Sequence, residues 1–140
     1  MSRTCVYVSN AADGDIATFS MQPDGALQPG ARVKAADAVG PMAVTPDGRF
    51  LYISERTSCA LAAFSVNAAT GKLTYLASTP TESQPRGFAI EPKGRFLVAA
   101  GEKSETISLH AIDQASGALA LQQQCPGGKG ANWVEIVRFG

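Results

Sequence analysis

Val44-Thr45-Pro46-Asp47-Gly48-Arg49-Phe50-Leu51 returns 46 residues later as Ile90-Glu91-Pro92-Lys93-Gly94-Arg95-Phe96-Leu97. In each copy an apolar residue leads into Pro-x-Gly-Arg and an apolar pair leaves it. That is the grammar of strand, tight turn, strand, with Pro presetting φ and Gly admitting φ > 0. A second motif keeps the same step: Gly25-Ala26-Leu27, Gly71-Lys72-Leu73 and Gly117-Ala118-Leu119. A fixed period of about 40–50 residues built from short strands predicts a β-propeller, one four-stranded blade per repeat.

The rest of the chain fits that period. Strands are expected at Cys5–Ser9, Ile16–Met21, Ala31–Ala35 (a weak, polar outer edge) and Met42–Thr45. The second unit offers Phe50–Ser54, Ala60–Val66, Leu73–Thr79 and Gly87–Glu91, and the third Phe96–Ala100, Thr106–Ile112, Ala118–Gln124 and Trp133–Phe139. The fold class is therefore all-β, about three four-stranded antiparallel blades of an open or partial propeller. The single domain spans 1–140, in units of about 1–49, 50–95 and 96–140. The chain starts on a second strand and finishes on an inner one. In a closed ring Trp133–Phe139 would complete the N-terminal sheet as a latch, so both ends of a larger propeller are expected here without its middle.

Composition narrows the function. Lys plus Arg equals Asp plus Glu at 12 each, so no electrostatic footprint for nucleic acid or an anionic membrane is expected. Charged residues make up 17%, with 14 Gly and 8 Pro, which suits short strands and many turns. No apolar run approaches a membrane helix, and Met1-Ser2-Arg3-Thr4 leads directly into a strand without a signal-peptide core. Cys5, Cys59 and Cys125 are odd in number and lack metal-ligand spacing, which predicts free thiols, a cytoplasmic location and no metal or other cofactor.

Gly40, Arg86 and Asn132 fall one period apart where the chain enters an inner strand, at one mouth of the channel. A guanidinium there can bind a carboxylate or phosphate, or stabilise the oxyanion formed when water attacks a carbonyl; it can equally pair with a carboxylate of a neighbouring blade. The adjoining loops carry Glu55-Arg56 and Glu102-Lys103-Ser104. Arg56 and Lys103 are candidate phosphate partners, with solvated loop charges as the alternative. Glu55 and Glu102 are candidate general bases, although no paired-carboxylate spacing supports them. Gly101-Glu102-Lys103-Ser104 lacks the Gly before Lys and the following helix of a phosphate loop. His110, the single histidine, sits in the phase of Phe64 and reads as a packed ring before a base. Trp133 reads as packing, with sugar stacking as the alternative.

These stretches resemble the β-propeller lactonase family, whose members include bacterial 6-phosphogluconolactonases. The likeness lies in Gly48–Ser58, Pro80-Thr81-Glu82-Ser83-Gln84-Pro85-Arg86-Gly87-Phe88, Ala99–Ser104 and Gly130-Ala131-Asn132-Trp133-Val134, and in Val6–Asn10 through Pro41–Val44. Such a resemblance implies seven blades, of which about three are present. It implies a sugar lactone substrate, phosphorylated, hydrolysed within the pentose phosphate pathway, with Arg86 in a catalytic role; Arg56, Lys103 and Asn132 are expected to bind substrate from their places at the channel mouth. The family site also draws on a Pro-Arg-His run and an Asn-Glu pair from middle blades, and neither occurs here. A catalytically inactive binding or assembly module is the competing expectation. Three blades leave two blade faces and the channel wall uncovered, which predicts self-association, into a six-bladed ring or into aggregates.

Overall fold

The computed structural model describes residues 3–140; Met1 and Ser2, with which the first repeat unit was expected to begin, lie outside them. Among the described residues eleven strands form three antiparallel sheets. The first sheet has three strands in the order β1 (Thr4–Asn10), β2 (Asp15–Met21), β3 (Leu27–Lys34). The second has four, β4 (Val39–Val44), β5 (Phe50–Glu55), β6 (Ala60–Val66) and β7 (Leu73–Pro80). The third repeats it with β8 (Pro85–Ile90), β9 (Phe96–Gly101), β10 (Thr106–Ile112) and β11 (Leu119–Pro126).

The period governs the irregular features as well as the strands. Third and outer strands slip register at Ala17/Phe19, Ala63/Phe64 and Leu109/His110, the same place in each sheet. Such bulges raise the local right-handed twist that a blade needs. The Pro-x-Gly-Arg turns close alike, Gly48 N donating to Thr45 O and Gly94 N to Glu91 O, each at 2.8 Å. Both glycines have positive φ, 74° and 72°. The supporting carboxylates differ: Asp47 accepts from Arg49 N at 3.1 Å, and Glu91 accepts from Arg95 N at 2.7 Å.

Sheets meet face to face, so each core belongs to a pair of them. Ile16 and Val39 join Leu51, Ile53, Ala62, Phe64 and Leu73 between the first and second sheets. Phe50, Tyr52, Leu61 and Ala63 meet Phe88, Leu97, Ala99 and Ile112 between the second and third. Two tyrosine hydroxyls pin these interfaces. Tyr7 donates to Gly71 O at 2.6 Å, and Tyr52 donates to Gly117 O at 2.7 Å. Burial pushes both phenols up to about 12.

Two strands, Ala60–Val66 and Thr106–Ile112, keep the limits read in the sequence, and the other limits move by at most four residues. The outer strand of the first sheet begins at Leu27 and carries Pro29, tolerated on an edge where no ladder donor is needed. One expectation is corrected: Trp133–Phe139 forms no strand, and the latch onto the first sheet is not made. The three sheets follow one another as an arc, so the first and third lie on opposite sides of the second. The tail instead runs beside β8, where a Cβ on Gly87 would come within 2.5 Å of Trp133 Cα. It occupies the place of a next inner strand without a ladder partner.

Candidate functional site

Three equivalent turns deliver the chain into the channel. Ala38, Gln84 and Gly130 precede the inner-strand positions one period apart, and all three have positive φ, 55°, 48° and 70°. For Ala and Gln that region is uncommon, and the Gln84 turn is held from both sides. Glu102 N donates to Gln84 O at 3.0 Å, Lys103 N to Ser83 O at 3.2 Å, and Gln84 N to Cys59 Sγ at 3.4 Å. Pro85 is fully buried, so the next residue, Arg86, leaves a fixed backbone.

Gly40, Arg86 and Asn132 thus line one cleft of about 320 Å³, together with Pro41, Arg56 and Trp133. Within it Arg86 Nη1 donates to Glu102 Oε2 at 3.0 Å, and Arg56 Nη2 donates to the same oxygen at 3.3 Å. Two guanidiniums converge on one carboxylate, leaving one net positive charge. The Arg86 hydrogen bond above all, then the charges of Arg86 and Arg56, hold the Glu102 carboxyl below its usual range. Arg56 Nε is buried without a hydrogen-bond partner among the described residues. All three side chains remain partly exposed, so solvent screens both ion pairs and each contributes little to the stability of the fold. An incoming anion can therefore compete with Glu102 for the guanidiniums.

Arg86, Arg56 and Asn132 line the cleft together, and Lys103 does not line it. Lys103 is exposed and lines an adjoining open depression with Glu102, Ser104, Glu105 and Lys129. Glu55 is buried and accepts from Ser58 Oγ at 2.8 Å, so no free base is offered there. His110 is buried, 1% exposed, and does not line the cleft. Trp133 is 69% exposed, with its indole N–H on Glu135 Oε1 at 2.7 Å. Among the described residues no group of three or more His, Cys, Asp or Glu is placed to hold a metal ion.

Sequence reasoning passed over Glu82. This buried carboxylate accepts from Ser104 Oγ at 2.7 Å, from the hydroxyls of Thr106 and Ser108, and from Gln124 Nε2 at 3.2 Å. Burial pushes its pKa up, but these four donors outweigh burial and the net shift is downward. The signal was present: Thr106, Ser108 and His110 alternate along β10, and a strand face so polar must find a partner on burial. Its role is to staple the loop before Arg86 to the third sheet.

The family described as "Lactonase, 7-bladed beta-propeller" matches residues 1–136. A 6-phosphogluconolactonase of Serratia proteamaculans is 40% identical over 139 residues, covering 94% of this chain and 42% of that protein. One of Sodalis glossinidius is 48% identical over 94 residues, 67% of this chain and 28% of that protein. The chain thus spans well under half the length of these relatives. Among solved structures, a putative 6-phosphogluconolactonase of Bacteroides fragilis superposes with a TM-score of 0.84 at 30% identity, covering 89% of this chain and 36% of that one. The periplasmic gluconolactonase of Pseudomonas aeruginosa gives 0.83 at 27% identity, covering 91% and 38%.

Proposed function

Since this chain belongs to the seven-bladed β-propeller lactonase family, we propose that it binds a sugar lactone at the Arg86 cleft and hydrolyses it, the substrate being 6-phospho-glucono-1,5-lactone. The observation that carries this reading is the convergence of Arg86 and Arg56 on one carboxylate oxygen. A pair of guanidiniums that accommodates Glu102 also suits the phosphate or the developing oxyanion of such a substrate. In this reading the phosphate takes Arg56 and displaces Glu102. Arg86 then stabilises the oxyanion as water adds to the lactone carbonyl, and Asn132 hydrogen-bonds a sugar hydroxyl. Collapse of the adduct breaks the bond to the ring oxygen, which takes up the proton given up by the attacking water, and releases 6-phosphogluconate. The free thiols support a cytoplasmic location, that of the pentose phosphate pathway.

A second reading, binding without turnover, is favoured by one observation. Both cleft-side carboxylates are engaged, Glu102 by two arginines and Glu55 by Ser58, so the resting cleft presents no free base. Lactone hydrolysis measured against the spontaneous rate separates the two readings. Acceleration that falls about 10²-fold in Arg86→Ala supports the hydrolase. Phosphate binding that needs Arg86 without any acceleration supports the binding module. We also propose that the chain self-associates through its free blade faces.

A further inference from the structure

The first sheet has three strands where the other two have four. Among the described residues β1 pairs only with β2, so its channel-side edge carries unpaired N–H and C=O groups. At the other end of the arc a strand-like segment has the opposite deficit. Residues 131–136 stand one period after β8 and two after β4, both inner strands. Gly130 enters them with the same positive φ as Ala38 and Gln84. Val134 and Ile136 are half-buried while Glu135 and Val137 are exposed, the alternation of a strand. Trp133 already lies against Gly87, where β8 itself lies against β4.

We propose that this tail pairs with the β1 edge of a second copy, reciprocally, so that two arcs close as one six-bladed ring. A second copy is the occupant because the chain's own β1 stands beyond the second sheet, two interfaces away. Six blades fall within the four to eight at which propellers close. The exchange is isologous, each copy giving one strand and receiving one, and strand addition at an open edge needs no change of fold. The faces brought together carry apolar side chains, Val6 and Val8 on β1 and Ile107 and Leu109 on β10, none of them buried in the single arc. The partner would also wall the channel side that a lone arc leaves open. This deepens the self-association proposed above and is independent of the lactone chemistry.

The period supplies the register. In the second sheet Met42 pairs with Ile53, Ala43 with Tyr52 and Val44 with Leu51. β4 moves forward two periods, whereas β1 matches β5 at a step of 45 residues: Asn10 pairs with Asp15 as Glu55 with Ala60, and Cys5 and Tyr7 meet Gly71 as Phe50 and Tyr52 meet Gly117. This sets Val134 opposite Val8, Glu135 opposite Tyr7 and Ile136 opposite Val6, and the Thr45 N to Phe50 O bond continues the ladder to Val137 opposite Cys5. Neighbours across an antiparallel pair have Cα atoms about 4.5–5.5 Å apart, within reach of a disulfide.

The test is the full chain carrying Val137→Cys, mildly oxidised and run without reductant, beside sedimentation of the unaltered chain. A dimer in sedimentation, and a covalent dimer that disappears when Cys5→Ser is added, are expected. A dimer in sedimentation without the Cys5-dependent bond overturns strand exchange and leaves association through blade faces. A monomer carrying an internal bond between residues 5 and 137 places the tail on its own β1 and overturns the second copy. A monomer without the bond removes both exchange and self-association.

Discussion

Arg56 and Glu102 stand one repeat apart in sequence and meet as an ion pair, Nη2 to Oε2 at 3.3 Å. The same turn of two successive blades thus contributes a cation from one and an anion from the next. Arg86, from the inner strand between them, joins the same oxygen at 3.0 Å.

Removing the carboxylate should reveal what it restrains. Glu102→Gln deletes one negative charge from beside two guanidiniums and keeps the side-chain shape. Inorganic phosphate should bind about 2–5-fold tighter to this variant, the size of a partly exposed charge interaction. Calorimetric titration checks it, and unchanged or weaker affinity would mean that Glu102 organises the arginines more than it blocks them.

Acid should loosen the third sheet in two steps. Burial, opposed by the Glu82 charge, holds the His110 pKa below its ordinary value. A lowered folded-state pKa means that protons favour the unfolded chain. The His110 contribution is therefore intact above about pH 6.5 and is lost as pH falls through that value towards the folded pKa. Glu82 also has a lowered pKa, so its contribution is intact above about pH 4.3 and is lost as pH falls through its folded value. His110→Phe, which installs the Phe64 side chain one period on, should abolish the first step and keep the second. Urea midpoints measured from about pH 8 down to about pH 2 decide, and parallel curves for the two proteins count against this assignment.

Gly87→Ala should free the tail while sparing the sheets. The added Cβ meets Trp133 Cα at 2.5 Å and Asn132 O at 2.7 Å, both backbone atoms that cannot turn aside. Because the tail makes no ladder, its displacement should cost about 0.5–1 kcal/mol of stability, the low end of what single substitutions do. Fluorescence of Trp133, the single tryptophan, should change, and the cleft should lose its Asn132 wall. Wild-type emission together with wild-type phosphate binding would show that the tail is not held at Gly87.

Tyr52→Phe should destabilise more than Tyr7→Phe. Tyr52 is fully buried and its loss strands Gly117 O between two sheets, a cost of about 1–3 kcal/mol. Tyr7 is only half-buried, and water can replace its bond to Gly71 O. Equal losses in chemical denaturation would contradict this ordering.

Much of the architecture was legible because the period is a local signal repeated. Pro46-Asp47-Gly48-Arg49 and its copy located the turns, and the apolar runs around them located the strands. The Trp133–Phe139 strand was misread for a physical reason. Alternation shows that a segment can pair, whereas pairing needs an edge whose position depends on the whole arc. Arg86 was visible from its place at an inner-strand entry, but its engagement by Glu102 was not named, although the step from Arg56 to Glu102 is one period. Lys103 was grouped with the site because its loop joins the second and third strands at the channel mouth. In a turn, successive side chains diverge, and this one lines the adjoining depression that Glu102 also lines.

The second sheet is the only one of the three with a neighbour on both faces, and β5 is buried along its whole length. Its partners depend on it and not on one another. In such a nearest-neighbour array, terminal units can be gained or lost while the interior persists. For a lineage of repeat proteins this sets a direction of change: blades are most readily added or shed at the ends of an arc, and a sequence substitution is tolerated least where two interfaces fall on one strand.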